Sequence, residues 1–209
     1  MGWVIVMGIG FLLPSITEEF GLPYDKQGLL ASAPVWANTI LYIPLSIWLG
    51  RYPPKLLTTL TLLIALILIF LQASTSFFVV LLVSRLLFGI TIAAKEPART
   101  LLMQQWFPPK EFMLVNALTA GILAFGLFGS TLATPYLLNL FNNDWRPTVY
   151  FFGGLTGALT VLWVTFGRER ESPEYLSQVT MILKPDWKRA LSHKELWLAG
   201  FGMLGVNFS

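Results

Sequence analysis

Four charged side chains sit where charge is expensive. Between Phe77 and Glu111 the chain reads FFVVLLVSRLLFGITIAAKEPARTLLMQQWFPPKE, apolar enough to cross a bilayer yet carrying Arg85, Lys95, Glu96 and Arg99. A helix over 77–104 rises about 40 Å at 1.5 Å per residue. Arg85 and the Lys95–Glu96 pair then fall roughly 8 Å to either side of its midpoint. Burying such a charge in hydrocarbon costs ~2.5–3.5 kcal/mol per residue on insertion scales, so these side chains are expected to face protein or a watery cavity. At 100° per residue, Arg85, Gly89, Ile92, Glu96 and Arg99 share one face, with Lys95 at its edge. Three bases against one acid leave this seam at +2, which favours an anionic partner. Glu96 and Arg99 stand at i and i+3 and can pair, and Pro97 frees backbone groups beside them. The alternative for Arg85 is structural, tying neighbouring helices through backbone carbonyls. The alternative for Arg99 is to snorkel toward headgroups.

The elements that must position these groups follow from composition. Of 209 residues 55% are hydrophobic and 12% charged, and mean hydropathy is +0.66. Soluble domains carry about 25% charged residues, so this is the composition of an integral membrane protein. Cysteine is absent, which excludes a disulfide framework and thiol chemistry. No basic n-region or A-x-A-like site marks the start as a cleavable signal.

Six apolar spans are expected. The first, 2–16, is about 22 Å long as a helix and falls short of a ~30 Å hydrocarbon core, which suggests that it begins upstream of Met1. The others cover 28–49, 56–71, 77–104, 112–138 and 146–166. Residues 167–194 form the one long hydrophilic segment, with short amphipathic helices expected on the membrane surface. Residues 195–209 open a further apolar run. Asn38 lies near the middle of the second span, with Tyr42 one turn on; both are candidates to line a pathway, although an Asn at such depth more commonly bonds a neighbouring helix. Gly121, Gly126 and Gly129 in the fifth span are expected to serve close helix packing. Trp3, Trp106 and Trp145 read as interfacial aromatics. One set of loops holds nine Lys and Arg residues, among them Arg51, Lys55, Lys110 and Arg168, and the opposite set only Lys26 and Arg146. The excess places the first set, with the amino terminus and the 167–194 loop, in the cytoplasm, which suits the plasma membrane.

Other chemistries have little support. No HExxH, GxSxG or nucleotide-binding motif is present, and the single histidine, His193, lies in the polar loop. Enzymatic, metal-dependent and nucleic-acid-binding roles are therefore not expected, and no repeated filter segment suggests a channel.

Arg85-x-x-x-Gly89, the turn Trp106-Phe107-Pro108-Pro109-Lys110-Glu111 and the long loop after the sixth span together resemble the first half of a major facilitator superfamily transporter. The opening LPSITEEFGLPYDKQGLL resembles the end of that family's first helix and its outer loop. The resemblance implies an all-α membrane fold of two six-helix bundles, each built of two inverted three-helix repeats, and alternating access by rocking of the bundles. Residues 1–166 would form the first bundle, 167–194 the connecting loop and 195–209 the start of helix seven, leaving a carboxyl-terminal half outside the chain. The family's loop between helices two and three reads Gly-x-x-x-Asp-Arg-x-Gly-Arg-Arg/Lys; here Arg51 and Lys55 persist in a gating role, while the acidic residue and both glycines do not. The fifth span lacks the Gly-Pro pair of the antiporter motif. The implied function is transport of a small solute, with branches carrying organic or inorganic anions such as cyanate one candidate, and drug or sugar carriers and a non-transporting receptor or scaffold as alternatives. No bound cofactor is implied; coupling to a proton or sodium ion is open.

Overall fold

A computed structural model describes residues 2–49, 52–169 and 192, with side chains from Gly10 onward. Six helices follow one another: α1 Gly2–Phe20, α2 Tyr24–Leu49, α3 Pro54–Ser74, α4 Phe78–Trp106, α5 Pro109–Leu140 and α6 Trp145–Phe166. No strand occurs among the described residues, and α2 to α6 are each long and apolar enough to cross a membrane. The helices match the six expected in number and order, five of them being of spanning length among the described residues. Their ends differ: α1 runs on through Thr17–Phe20 and α2 starts at Tyr24, so the expected polar loop shrinks to three residues.

Local chemistry sets those ends. Gly21, at φ +59°, closes α1 in a left-handed residue, and the Leu22 amide bonds the Thr17 carbonyl at 3.1 Å, the Schellman pattern. At the α4–α5 turn, Pro108 forbids helical geometry at Phe107, which is extended at φ −120°, ψ 134°. Pro109 then occupies the first turn of α5, where a missing N–H costs nothing, and Glu111 meets the positive end of the helix dipole. Between α5 and α6, Asn142 and Asn143 both take positive φ (55° and 63°), a conformation asparagine tolerates, and the Asp144 carboxylate caps α6 through the Arg146 amide at 2.9 Å.

Helix α4 is the axis of the bundle. It packs between α2 and α3; α3 in turn packs on α6, and α1 on α5. Exchanging the units α1–α3 and α4–α6 turns the α2–α4 contact into α5–α1, as an inverted repeat would. The main core draws on all six helices, including Ile16, Leu30, Ile69, Phe88, Leu138 and Val149. A second cluster of Leu49, Leu57, Ala94 and Ala98 joins α2, α3 and α4 at the end that carries the α2–α3 and α4–α5 turns, called here the basic end. Most buried hydroxyls are satisfied within their own helices, Thr148 being an exception: Thr58 bonds the Pro54 carbonyl, Ser84 that of Leu81 and Thr134 that of Ser130, at 2.7–2.8 Å. That habit makes the unsatisfied polar groups conspicuous.

Trp145 is not an interfacial belt residue. It is buried at 2% exposure, and its indole N–H donates to Glu19 Oε2 at 2.7 Å. Beside it, Arg146 pairs with Glu19 Oε1 and donates to the carbonyls of Ala73 (3.1 Å) and Thr75 (2.9 Å). The two side chains clamp α1, α3 and α6 together at the end opposite the basic one. Trp106, 43% exposed, does fit an interfacial position.

Candidate functional site

Arg85 is one of the largest fully buried side chains, 1% exposed, and its Nε and Nη1 groups have no hydrogen-bond partner. Its helix is held close to α2 one turn further on. A Cβ at Gly89 would lie against the carbonyl oxygen of Pro34 and 2.8 Å from the Pro34 Cα, so only glycine lets the two backbones touch. Arg-x-x-x-Gly is therefore one device: the glycine brings α2 against α4, and the arginine is enclosed one turn away. Pro34 also removes the amide that would bond the Leu30 carbonyl. Helices α2 and α4 run in the same direction, so this weakened stretch of α2 lies at about the level of Arg85. Neither Nε nor Nη1 of Arg85 makes the expected tie to a backbone carbonyl. Two charged donors remain in the core, each able to bind an oxygen acceptor strongly.

Ten residues on, about 15 Å along the axis, the other charges group separately. Glu96 and Arg99 form the expected i, i+3 ion pair at 3.0 Å, with side chains 21% and 39% exposed. Arg99 Nε is buried without a hydrogen-bond partner. Lys95, half-buried, makes no hydrogen bond or ion pair with a described residue. Lys95 and Arg99 line a cavity of about 580 Å³ at the basic end, together with Leu102, Met103 and Trp106 of α4, Thr58 of α3 and Trp163, Phe166 and Arg168 at the end of α6. Arg85 is not among its walls. The seam read from the sequence is thus two sites: Arg85 in the core, and Lys95 with Arg99 in a pocket.

The remaining candidates are scattered. Asn38 is half-buried with a buried, unpartnered Oδ1, and Tyr42 is 42% exposed. Lys55 is half-buried at the start of α3; Arg51 lies outside the described residues, as do His193 and the expected loop helices. Gly121 and Gly129 of α5 do not serve the packing expected of them inside this bundle, since a Cβ at either would meet nothing within 4 Å; Gly126 is half-buried. Close approach occurs instead at Gly89 and at Gly153, where a Cβ would stand 3.1 Å from Ile69 Cγ2. The Glu19–Arg146 clamp joins residues 127 apart in sequence, and nothing local in the sequence signals it.

The model of the Major Facilitator Superfamily matches residues 1–209. The chain belongs to that superfamily. It is 23% identical to the "Uncharacterized transporter YybO" of Bacillus subtilis (strain 168) over 97% of this chain and 50% of that protein. It is also 23% identical to the "Uncharacterized transporter YycB" of the same organism, over 80% of this chain and 41% of the relative. The chain thus spans about half the length of the curated relatives it matches. As a superfamily member with apolar helices of spanning length, it is an integral membrane protein. The six-helix bundle is that expected of the amino-terminal half of the fold.

Proposed function

We propose that this chain is the amino-terminal half of a secondary active transporter for a small anionic solute, working by alternating access against a second six-helix bundle. The observation that carries the anionic reading is Arg85: a fully buried guanidinium with two unpartnered N–H groups, in the helix at the centre of the bundle. Uncompensated charge at that depth is unfavourable for folding and is retained where it meets a ligand or a coupled ion. Arg85 binds the anion; Lys95, Glu96 and Arg99 recognise charge or couple its movement toward the basic end; Asn38 and Tyr42 line the path. Residues 1–166 act as one bundle, 167–194 as the cytoplasmic connection and 195–209 as the start of helix seven, in the plasma membrane with the amino terminus inside. Arg51 and Lys55, at the connection between α2 and α3, serve the cytoplasmic gate. The 50% share of the YybO sequence covered supports a second half of similar size.

The test is uptake of a panel of labelled organic and inorganic anions by the full-length protein in proteoliposomes. Anion uptake abolished by Arg85→Gln, with folding retained, is the expected result. Uptake of neutral sugars or cations undiminished in Arg85→Gln would overturn the anionic reading.

A further inference from the structure

The pocket at the basic end has a composition that a small inorganic anion would not need. Its bases are Lys95, Arg99 and Arg168, and no acidic side chain lines it. The rest of its wall is large and apolar: Leu102, Met103, Trp106, Phe107, Trp163 and Phe166. The indole N–H groups are committed elsewhere, Trp163 Nε1 to Thr59 Oγ1 and Trp106 Nε1 to the Arg168 carbonyl, both at 3.2 Å. What the indoles can offer a ligand is therefore their ring faces, which suit apolar or aromatic contact. Position along the helix orders these chemistries. Lys95 and Arg99 lie seven or more residues before Trp106, so the basic groups of α4 stand deeper than the aromatic ring, and Arg168 sits beside that ring.

Gly167 builds the outer wall. A Cβ there would strike the Trp163 carbonyl and come within 3.2 Å of the indole, so glycine lets the chain leave α6 across the ring and carry Arg168 back to Trp106. About 580 Å³ is the size of a cavity for a small organic molecule, far more than a bare phosphate or cyanate fills.

We infer that this α3–α4–α6 pocket binds an amphipathic organic anion, its acidic group held by Lys95 and Arg99 and its apolar body lying against Trp106, Trp163 and Phe166. The inference deepens the charge-recognition role proposed above for Lys95 and Arg99 and rests on it. Two sources share the chemistry: a soluble aryl or alkyl carboxylate, or an acidic single-chain lipid of the surrounding leaflet.

The experiment is equilibrium binding of labelled 2-naphthoate to the full-length protein in nanodiscs of zwitterionic lipid. Saturable binding is expected to weaken about tenfold in Lys95→Gln and in Arg99→Gln, the scale of one lost charge-assisted hydrogen bond. Lys95→Arg restores it, and Lys110→Ala, at an exposed base outside the pocket, leaves it unchanged. Neither inorganic phosphate nor 2-naphthalenemethanol, which lack the body or the charge, competes. Displacement by lysophosphatidate added to the disc assigns the site to membrane anions; displacement by soluble carboxylates alone assigns it to the aqueous phase. Competition by phosphate as strong as by naphthoate, unchanged binding in both glutamine variants, or an equal loss in Lys110→Ala would each overturn the inference. Naphthoate binding without any solute uptake would retire the transport reading and leave the pocket standing.

Discussion

Removing the guanidinium of Arg85 is expected to have two opposite effects. Arg85→Met keeps much of the side-chain volume and removes a buried charge with unpartnered N–H groups. Stability toward detergent or heat should rise, by about 1–3 kcal/mol if most of the cost of a buried membrane charge is recovered, while anion uptake is lost. A thermal-shift assay beside the uptake assay checks both. A variant less stable than the wild type would mean that Arg85 serves packing. At Gly89 the direction is simpler. Gly89→Val drives two methyl groups into the Pro34 backbone and should cost about 2–3 kcal/mol or separate α2 from α4, whereas Gly121→Ala, facing open space, should be neutral within about 0.5 kcal/mol. The type and spacing of Arg85 and Gly89 were legible in the sequence. Their division of labour was not, because it depends on Pro34, 55 positions away.

Among elements, the ends of α1, α3 and α6 opposite the basic turns are joined by one arginine. Arg146 answers Glu19 and two carbonyls at the end of α3, while Trp145 answers the other Glu19 oxygen. Side-chain exposures of 25% and 36% for Arg146 and Glu19 discount the ion pair for solvent screening. The carbonyl bonds add to it, so Arg146→Ala should cost about 1–2 kcal/mol. A double-mutant cycle with Glu19→Gln should show non-additivity of at least 0.5 kcal/mol, and simple additivity would mean the pair is ornamental. Helix termini were partly legible. The Phe107-Pro108-Pro109 stop and restart follows from proline stereochemistry alone. The extension of α1 through Thr17-Glu18-Glu19 was missed because polarity there marks an interface and a clamp, not a loop.

At the scale of the whole chain, the absence of cysteine from these 209 residues gives them a clean background for single-cysteine labelling. A cysteine at exposed Lys110 should react with an impermeant maleimide only from the cytoplasmic side, and one at exposed Asn142 only from outside. The reverse pattern would invert the proposed topology. The first half of α5 buries nothing: Met113, Ile122 and Phe125 are 73–84% exposed, and Gly121 shares that open stretch. Apolar residues there meet lipid or a second bundle equally well, so hydropathy could not tell a packing glycine from an outward one.

Composition and periodicity alone determined that the chain is a helical membrane protein of six successive helices, which end carries the basic turns, and that one span bears charge too deep to be casual. These are local properties, set by the cost of moving side chains and peptide groups into hydrocarbon. Tertiary structure decided which charges share a space. A helical wheel places Arg85, Glu96 and Arg99 on one stripe, but neighbouring helices close over Arg85 and part around Lys95 and Arg99. Enclosure depends on what α2, α3 and α6 place opposite each turn of α4, and no single helix contains that information.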